Sequence, residues 1–322
     1  MSGARELGDF TARGGSTVET TRAFGDALVT LAAKDPRIIA LTGDLTPATE
    51  SDAFRDAFPD RFFNAGIAEA NMMGMAAGMA RTGNIPFVHS FAVFATRRPF
   101  DQIAMQIAYP QLPVKIIGFL PGLTTLLGVS HQAIDDVALM RALPNMTILE
   151  PGTPADHASA IGAAVEHGGP VYLRISRSLP RLDLPATPWR IGEASVLREG
   201  TDISFLAAGH GIAEALAAAD TLASEGISVS VTDMRTLKPL DEERVLMEAR
   251  RTGRIVTVEN HSIIGGLGSA VAETLMEAGT ALQFRRIGVR DRFAEGGSTP
   301  YLFDRYGLSA PHIVKAARTL LV

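Results

Sequence analysis

Short runs of β-branched and apolar residues alternate along the chain with longer stretches whose apolar residues recur every three or four positions. Arg37 to Leu41, Ile85 to His89, Val114 to Phe119, Thr147 to Glu150 and Val171 to Ile175 read as strands; Ala68 to Arg81, Phe100 to Tyr109, Ala133 to Ala142 and Pro154 to His167 read as helices. Strand, helix, strand in succession requires a parallel sheet with right-handed crossovers, which makes the chain α/β. After Ser178 the segment LPRLDLPATPW breaks the rhythm with prolines and the only tryptophan, Trp189. A second alternation follows: strands near Ile203 to Ala207, Ser228 to Asp233, Ile255 to Glu259 and Phe284 to Ile287, and helices at Ile212 to Ser224, Asp241 to Thr252, Leu267 to Ala278 and Ala310 to Leu320. The expected organisation is a flexible arm over 1–18, a first domain over 19–180, a linker over 181–192 and a smaller open α/β domain over 193–322.

Composition removes several function classes. A net charge of -5 leaves no basic stripe for phosphate neutralisation, so nucleic acid is not an expected partner. The absence of cysteine excludes disulfides, thiolate nucleophiles and cysteine-ligated metals. The first residues, MSGARELGDFTARGG, lack the apolar core of a signal peptide, and the most apolar stretch, Met72 to Ala80, is far shorter than the roughly 20 residues of a bilayer span. A soluble cytoplasmic protein without a membrane partner is expected.

Several residues could carry chemistry. Glu69 opens a helix of small and apolar residues, AEANMMGMAAGMA, whose Gly74 and Gly78 would let another backbone approach. A carboxylate there either favours the helix dipole or sits in a desolvated interface, where it must bond a ligand proton or stay protonated. Phe91 and Phe94 follow the strand ending at His89, where parallel sheets place ligands; they are either core or a seat for a flat ring. His131, in GLTTLLGVSHQAIDD, is a loop histidine that suits a proton shuttle or a capping role. Arg177, in LRISR at a strand end, binds a phosphate or pairs with a carboxylate. The segment IIGGLGSAVAE lacks dinucleotide-loop spacing, so Gly265, Gly266 and Gly268 read as a tight strand-to-helix turn.

Taken in order, TGDLTP, FFNAGIAEANMMGMAAGMA, FVHSFAVF, FDQI, SHQAIDDVALMR and RISRSLP resemble the pyrimidine-binding domain of the transketolase family. LAAGHGIAEAL, MRTLKPLD and IVTVENHSIIGGLGSAVAE resemble that family's C-terminal domain, and the whole is most similar to the C-terminal subunit of split transketolases. The resemblance implies thiamine diphosphate as cofactor, with Glu69 bonding the aminopyrimidine nitrogen, Phe91 and Phe94 walling the ring, and Asp44 and Ile67 beside it. It implies that His131 faces the donor sugar and that Arg22 and Arg177 hold a sugar phosphate. The implied reaction moves a two-carbon ketol unit from a ketose to an aldose. The family's diphosphate half, with its Gly-Asp-Gly motif and downstream asparagine that hold Mg²⁺, has no counterpart in the sequence. The resemblance therefore implies a partner subunit, an α2β2 assembly, and Mg²⁺ held mainly by the partner rather than by metal ligands of this chain.

The sequence also departs from the family. Phe119, Leu127 and Ala48 stand where typical members carry a histidine, an aspartate and a small hydroxyl residue that contact the sugar or its phosphate. These changes point toward a branched, deoxygenated or otherwise unusual sugar. Two other readings stay open: a pyruvate-type thiamine enzyme, such as a deoxyxylulose-phosphate synthase-like activity or a 2-oxo acid dehydrogenase β subunit, and a non-catalytic paralogue.

Overall fold

A computed structural model of the chain describes residues 22–180, 182, 184 and 187–322; the expected arm over 1–18 lies outside them, as do four positions of the expected linker. A seven-stranded sheet is built by β1 (Ile38–Thr42), β2 (Phe62–Asn64), β3 (Ile85–Phe91), β4 (Lys115–Phe119), β5 (Thr147–Leu149), β6 (Val171–Ile175) and β10 (Thr236–Lys238), in the order β10-β5-β6-β4-β3-β1-β2. All neighbours are parallel except β10 with β5. The central strands β1, β3, β4 and β6 are buried along their whole length, as parallel strands covered on both faces must be, which explains their near-continuous apolar sequence.

Helix α3 (Glu69–Arg81) buries Met72, Met73, Ala76, Ala77 and Ala80 on one face of this sheet; α1 (Ala23–Ala32) and α7 (Asp156–Glu166) cover the other. Helix α1 is absent from the sequence reading, as are α2 (Ser51–Ala57) and α4 (Ala92–Arg97). The helix read from Phe100 to Tyr109 is present but widens into a π-helical stretch over Ile103–Ala108.

The second sheet contains β7 (Ser195–Arg198), β8 (Ile203–Ala207), β9 (Val229–Asp233), β11 (Arg254–Ser262) and β12 (Gln283–Val289), in the order β12-β11-β8-β9-β7. Only the edge strand β7 runs antiparallel. Helices α8 (Gly211–Ala223), α9 (Glu242–Thr252), α10 (Leu267–Glu277) and α12 (Ala310–Leu321) pack around it. The glycine-rich segment forms the β11–α10 turn. Gly265 is left-handed (φ 77), and a Cβ on Gly266 would lie 2.0 Å from Glu259 Oε2. Glu259 accepts from the Gly268 amide at 2.9 Å, so the chain's own carboxyl occupies the space a dinucleotide phosphate would need.

The two sheets meet through buried charge. Arg174 of β6 donates to Asp136 (2.8 and 3.2 Å), to Glu150 (2.6 Å) and to the Asn260 carbonyl of β11 (3.1 Å). Among the described residues, no helix is long and apolar enough to cross a membrane.

Candidate active site

The residues singled out from the sequence gather at the carboxyl ends of β1, β3, β4 and β6, where open parallel sheets bind ligands. Asp44 follows β1 in a left-handed conformation (φ 65) and accepts from Asn64 Nδ2 at 3.1 Å. Asn64 in turn accepts from the amide of Gly66 (φ 73), and this turn presents Ile67, 76% exposed, at the mouth. Glu69 comes directly after, 4% exposed, at the first position of α3.

Glu69 is not left bare. Arg98 Nη1 donates to Glu69 Oε1 at 2.6 Å, and its guanidinium carbon lies 3.9 Å from the centroid of the Phe94 ring. The sequence reading gave Glu69 a ligand proton or protonation as its only escapes from burial and passed over this arginine. The two are 29 positions apart, on different elements, so no local spacing announces the pair.

The phenylalanines do form an aromatic wall, shared with the histidine. Phe91 and Phe94 centroids are 6.0 Å apart, and His131 packs edge-on to both at 6.0 and 5.2 Å. Phe91 is buried and Phe94 half-buried, so one anchors the wall and the other faces the mouth. His131 ends a short turn over Val129–His131, with Nδ1 2.9 Å from Ser130 Oγ. Partial burial, together with the positive charge of Arg98, pushes its pKa below the ordinary histidine value. The ring is therefore neutral at physiological pH and able to accept a proton.

Arg22 and Arg177 approach each other's surroundings, but each meets a carboxylate of the chain. Arg22 makes a bidentate pair with Asp52 at 2.6 and 2.9 Å, and Arg177 Nε lies 3.8 Å from Glu50 Oε1. Phe119 is fully buried, edge-on to Phe24 at 5.4 Å and stacked over His89 at 6.4 Å. Leu127 is 38% exposed and Ala48 half-buried. Gly74 and Gly78 do not seat a second backbone of this chain among the described residues: a Cβ on Gly74 meets only the Gln106 side chain at 3.2 Å, and one on Gly78 meets nothing. That face of α3 is left open.

A buried carboxylate beside an aromatic wall suits a flat, nitrogen-bearing heterocycle. The wall supplies stacking area, and the carboxylate supplies a strong acceptor in a low-dielectric setting. Among the described residues, no group of three or more His, Asp or Glu side chains is arranged to hold a metal ion.

Comparison with known proteins identifies the family. The family "Transketolase, pyrimidine binding domain" matches residues 16–182, and "Transketolase, C-terminal domain" matches residues 192–313. The chain is 47% identical over 296 residues to the "6-deoxy-6-sulfo-D-fructose transketolase subunit SqwH" of Clostridium sp. (strain MSTE9), covering 91% of this chain and 92% of that one. It is 38% identical to a "1-deoxy-D-xylulose-5-phosphate synthase" of Syntrophotalea carbinolica, covering 98% of this chain but 50% of the longer protein. Among solved structures, "Split gene transketolase, inactive beta4 tetramer" superposes with a TM-score of 0.86 at 46% identity, covering 94% of this chain and 98% of that one. Two domain families in the order that the two sheets follow, and relatives matched nearly end to end, show that this chain belongs to the transketolase family as a C-terminal-type subunit.

Proposed function

We propose that the chain supplies the pyrimidine half of a thiamine diphosphate site in a two-subunit transferase that moves a two-carbon ketol unit from a ketose to an aldose. The observation that carries this reading is Glu69, a carboxylate 4% exposed at the head of α3, set beside the Phe91–Phe94–His131 wall. When bound, the cofactor supplies an electron sink for breaking the ketose carbon–carbon bond. Glu69 would bond a nitrogen of that ring, and Arg98, donating to its Oε1 at 2.6 Å, holds the side chain in place. Phe91, Phe94 and Ile67 exclude water from the ring, Asp44 bounds its other side, and His131 accepts or returns a proton at the substrate.

A partner chain is part of the proposal. The sequence offers no diphosphate-binding motif, the open face of α3 has no cover among the described residues, and one relative of known structure is described as an inactive tetramer of one chain type. In this reading the partner carries the diphosphate and its Mg²⁺, in an α2β2 assembly. The match to a subunit named for 6-deoxy-6-sulfo-D-fructose, together with Phe119 and Leu127 in place of polar residues, supports a donor other than an ordinary pentose phosphate.

The test is reconstitution. This chain and a separately expressed diphosphate-domain subunit are assayed apart and together for two-carbon transfer with ketose donors. Activity should appear only in the mixture and should fall on the order of a hundredfold or more with Glu69→Gln. Turnover with pyruvate and not with ketoses would transfer the protein to the synthase-like class that its 38% relative represents.

A further inference from the structure

Glu50 is the group that the sequence did not single out and that the proposed reaction does not use. It is 1% exposed and left-handed (φ 54), and it turns back under the start of α1. Its Oε2 accepts from the Gly25 amide at 2.9 Å, while Oε1 has no hydrogen-bond partner among the described residues and faces Arg177 Nε at 3.8 Å. Free amides in the first turn of a helix are where an incoming anion would find donors. Here the chain's own carboxylate holds that place, and the packing fixes it: a Cβ on Gly25 would come within 2.7 Å of the Glu50 carbonyl oxygen.

The charges around this point nearly cancel. Arg22 and Arg177 contribute two guanidinium groups, and Asp52 and Glu50 contribute two carboxylates. The neighbouring histidines add nothing: His89 and His157 pack around Phe24 at 5.6 and 6.4 Å, and burial pushes both down to about 4, so they are neutral. Phe119 fills further space beside Phe24 with an uncharged ring. A phosphate monoester brings nearly two negative charges at neutral pH, since its second ionisation lies near 6. With no surplus positive charge to receive it among the described residues, such a tail meets Glu50 as a like charge in partly desolvated surroundings.

We infer that Glu50 and Asp52 tune the Arg22–Arg177 cluster to a sugar tail that bears at most one negative charge, a hydroxymethyl or a sulfonate, and turn away a phosphate dianion. This rests on the transferase reading, because it takes the two arginines as the place where the far end of the donor lies. Glu50 and Asp52 are then specificity-determining residues that act through the arginines.

The experiment titrates three donors, fructose, 6-deoxy-6-sulfofructose and fructose 6-phosphate, into the partnered complex at pH 8. Turnover with each is recorded in parallel, with glyceraldehyde as a common uncharged acceptor. The wild-type complex should bind the sulfonate or the uncharged sugar more tightly than the phosphate. Glu50→Gln, which retains an acceptor for the Gly25 amide, should raise relative binding and kcat/KM for the phosphate by on the order of tenfold. Asp52→Asn should move the ratio the same way, so the idea does not hang on one variant folding. A purely structural role for Glu50 would weaken all donors alike and leave the ratio unmoved. An unmoved ratio, tighter phosphate binding by the wild type, or binding of none of the three would each overturn the inference. Selective binding without turnover would uphold it while refuting the transferase reading.

Discussion

Replacing Arg174 with methionine nearly keeps the volume of the side chain and removes a buried cation that joins the two sheets. Arg174 is 1% exposed and its partners are buried with it: Asp136 fully, and Glu150 at 5% exposure. Burial alone would raise the Asp136 pKa, yet Arg174, His261 and the Tyr172 hydroxyl, which donates to it at 2.6 Å, hold it below the ordinary range; Glu150 stays raised by burial in spite of the same arginine. Without the guanidinium, two carboxylates face each other in a low-dielectric junction, and the Asn260 carbonyl loses its donor. Breaking a buried pair of this kind costs about 3–5 kcal/mol, against a total stability on the order of 5–15 kcal/mol. The sign of the pH dependence follows. In the variant the carboxyl groups relieve their repulsion by taking up protons, so their folded-state pKa values rise, and stability is lost as pH increases. Urea unfolding of both proteins should therefore show a gap that is wide at pH 8 and narrower at pH 5. A loss under about 1 kcal/mol, or a gap that does not change with pH, refutes the account of Arg174 as the counter-charge of the junction.

Other expectations follow from the same geometry. Arg98→Leu should lower kcat of the partnered enzyme by at least tenfold through the unheld Glu69 carboxylate, beyond any loss of folded protein from leaving that buried group unpaired; steady-state kinetics corrected for the folded fraction read from a thermal unfolding curve check this. Gly122→Ala should cost more than about 2 kcal/mol, because Gly122 is left-handed (φ 60) and a Cβ would lie 2.3 Å from the Asn260 carbonyl oxygen; equilibrium unfolding measures it. Burial lowers His89, His157, His210 and His261 to about 4 each, so the unfolded chain binds more protons between roughly 4 and the ordinary histidine value of about 6.5. Their contribution is complete above about 6.5 and is lost as pH falls toward 4; His89→Phe should flatten part of that acid limb in a pH series of melting temperatures.

The sequence disclosed what local pattern encodes. The five strand runs of the first half and the four of the second stand within a few residues of where they were read, because buried parallel strands are continuous apolar segments. The Phe91–Phe94 wall and the helix headed by Glu69 were legible because their partners are close in sequence. Three short strands, β2, β7 and β10, escaped: three or four residues carry too little periodicity, and their pairing is decided by the strand they lie against. The ion pairs that set the electrostatics of the site escaped for a related reason. Arg98 reaches Glu69, Arg22 reaches Asp52 and Arg177 reaches Glu50 only once the sheet has brought separate elements together. Arg22 and Arg177, which the resemblance assigns to a sugar phosphate, each lie against a carboxylate of the chain, the alternative that Arg177 carried from the start.

Strand β10 hems the first sheet with three residues drawn from beyond the interdomain crossing. Thr236 pairs with Leu149 and Lys238 with Ile148, and the Lys238 ammonium donates to the carbonyls of Arg141 and Leu143 at 2.9 and 2.5 Å. If the chain were cut near residue 190, β5 would become a bare margin of unpaired amides and carbonyls, the kind of border along which sheets fuse into aggregates. The N-terminal portion is thus ill suited to life as an excised fragment, and the later portion acts as its selvedge.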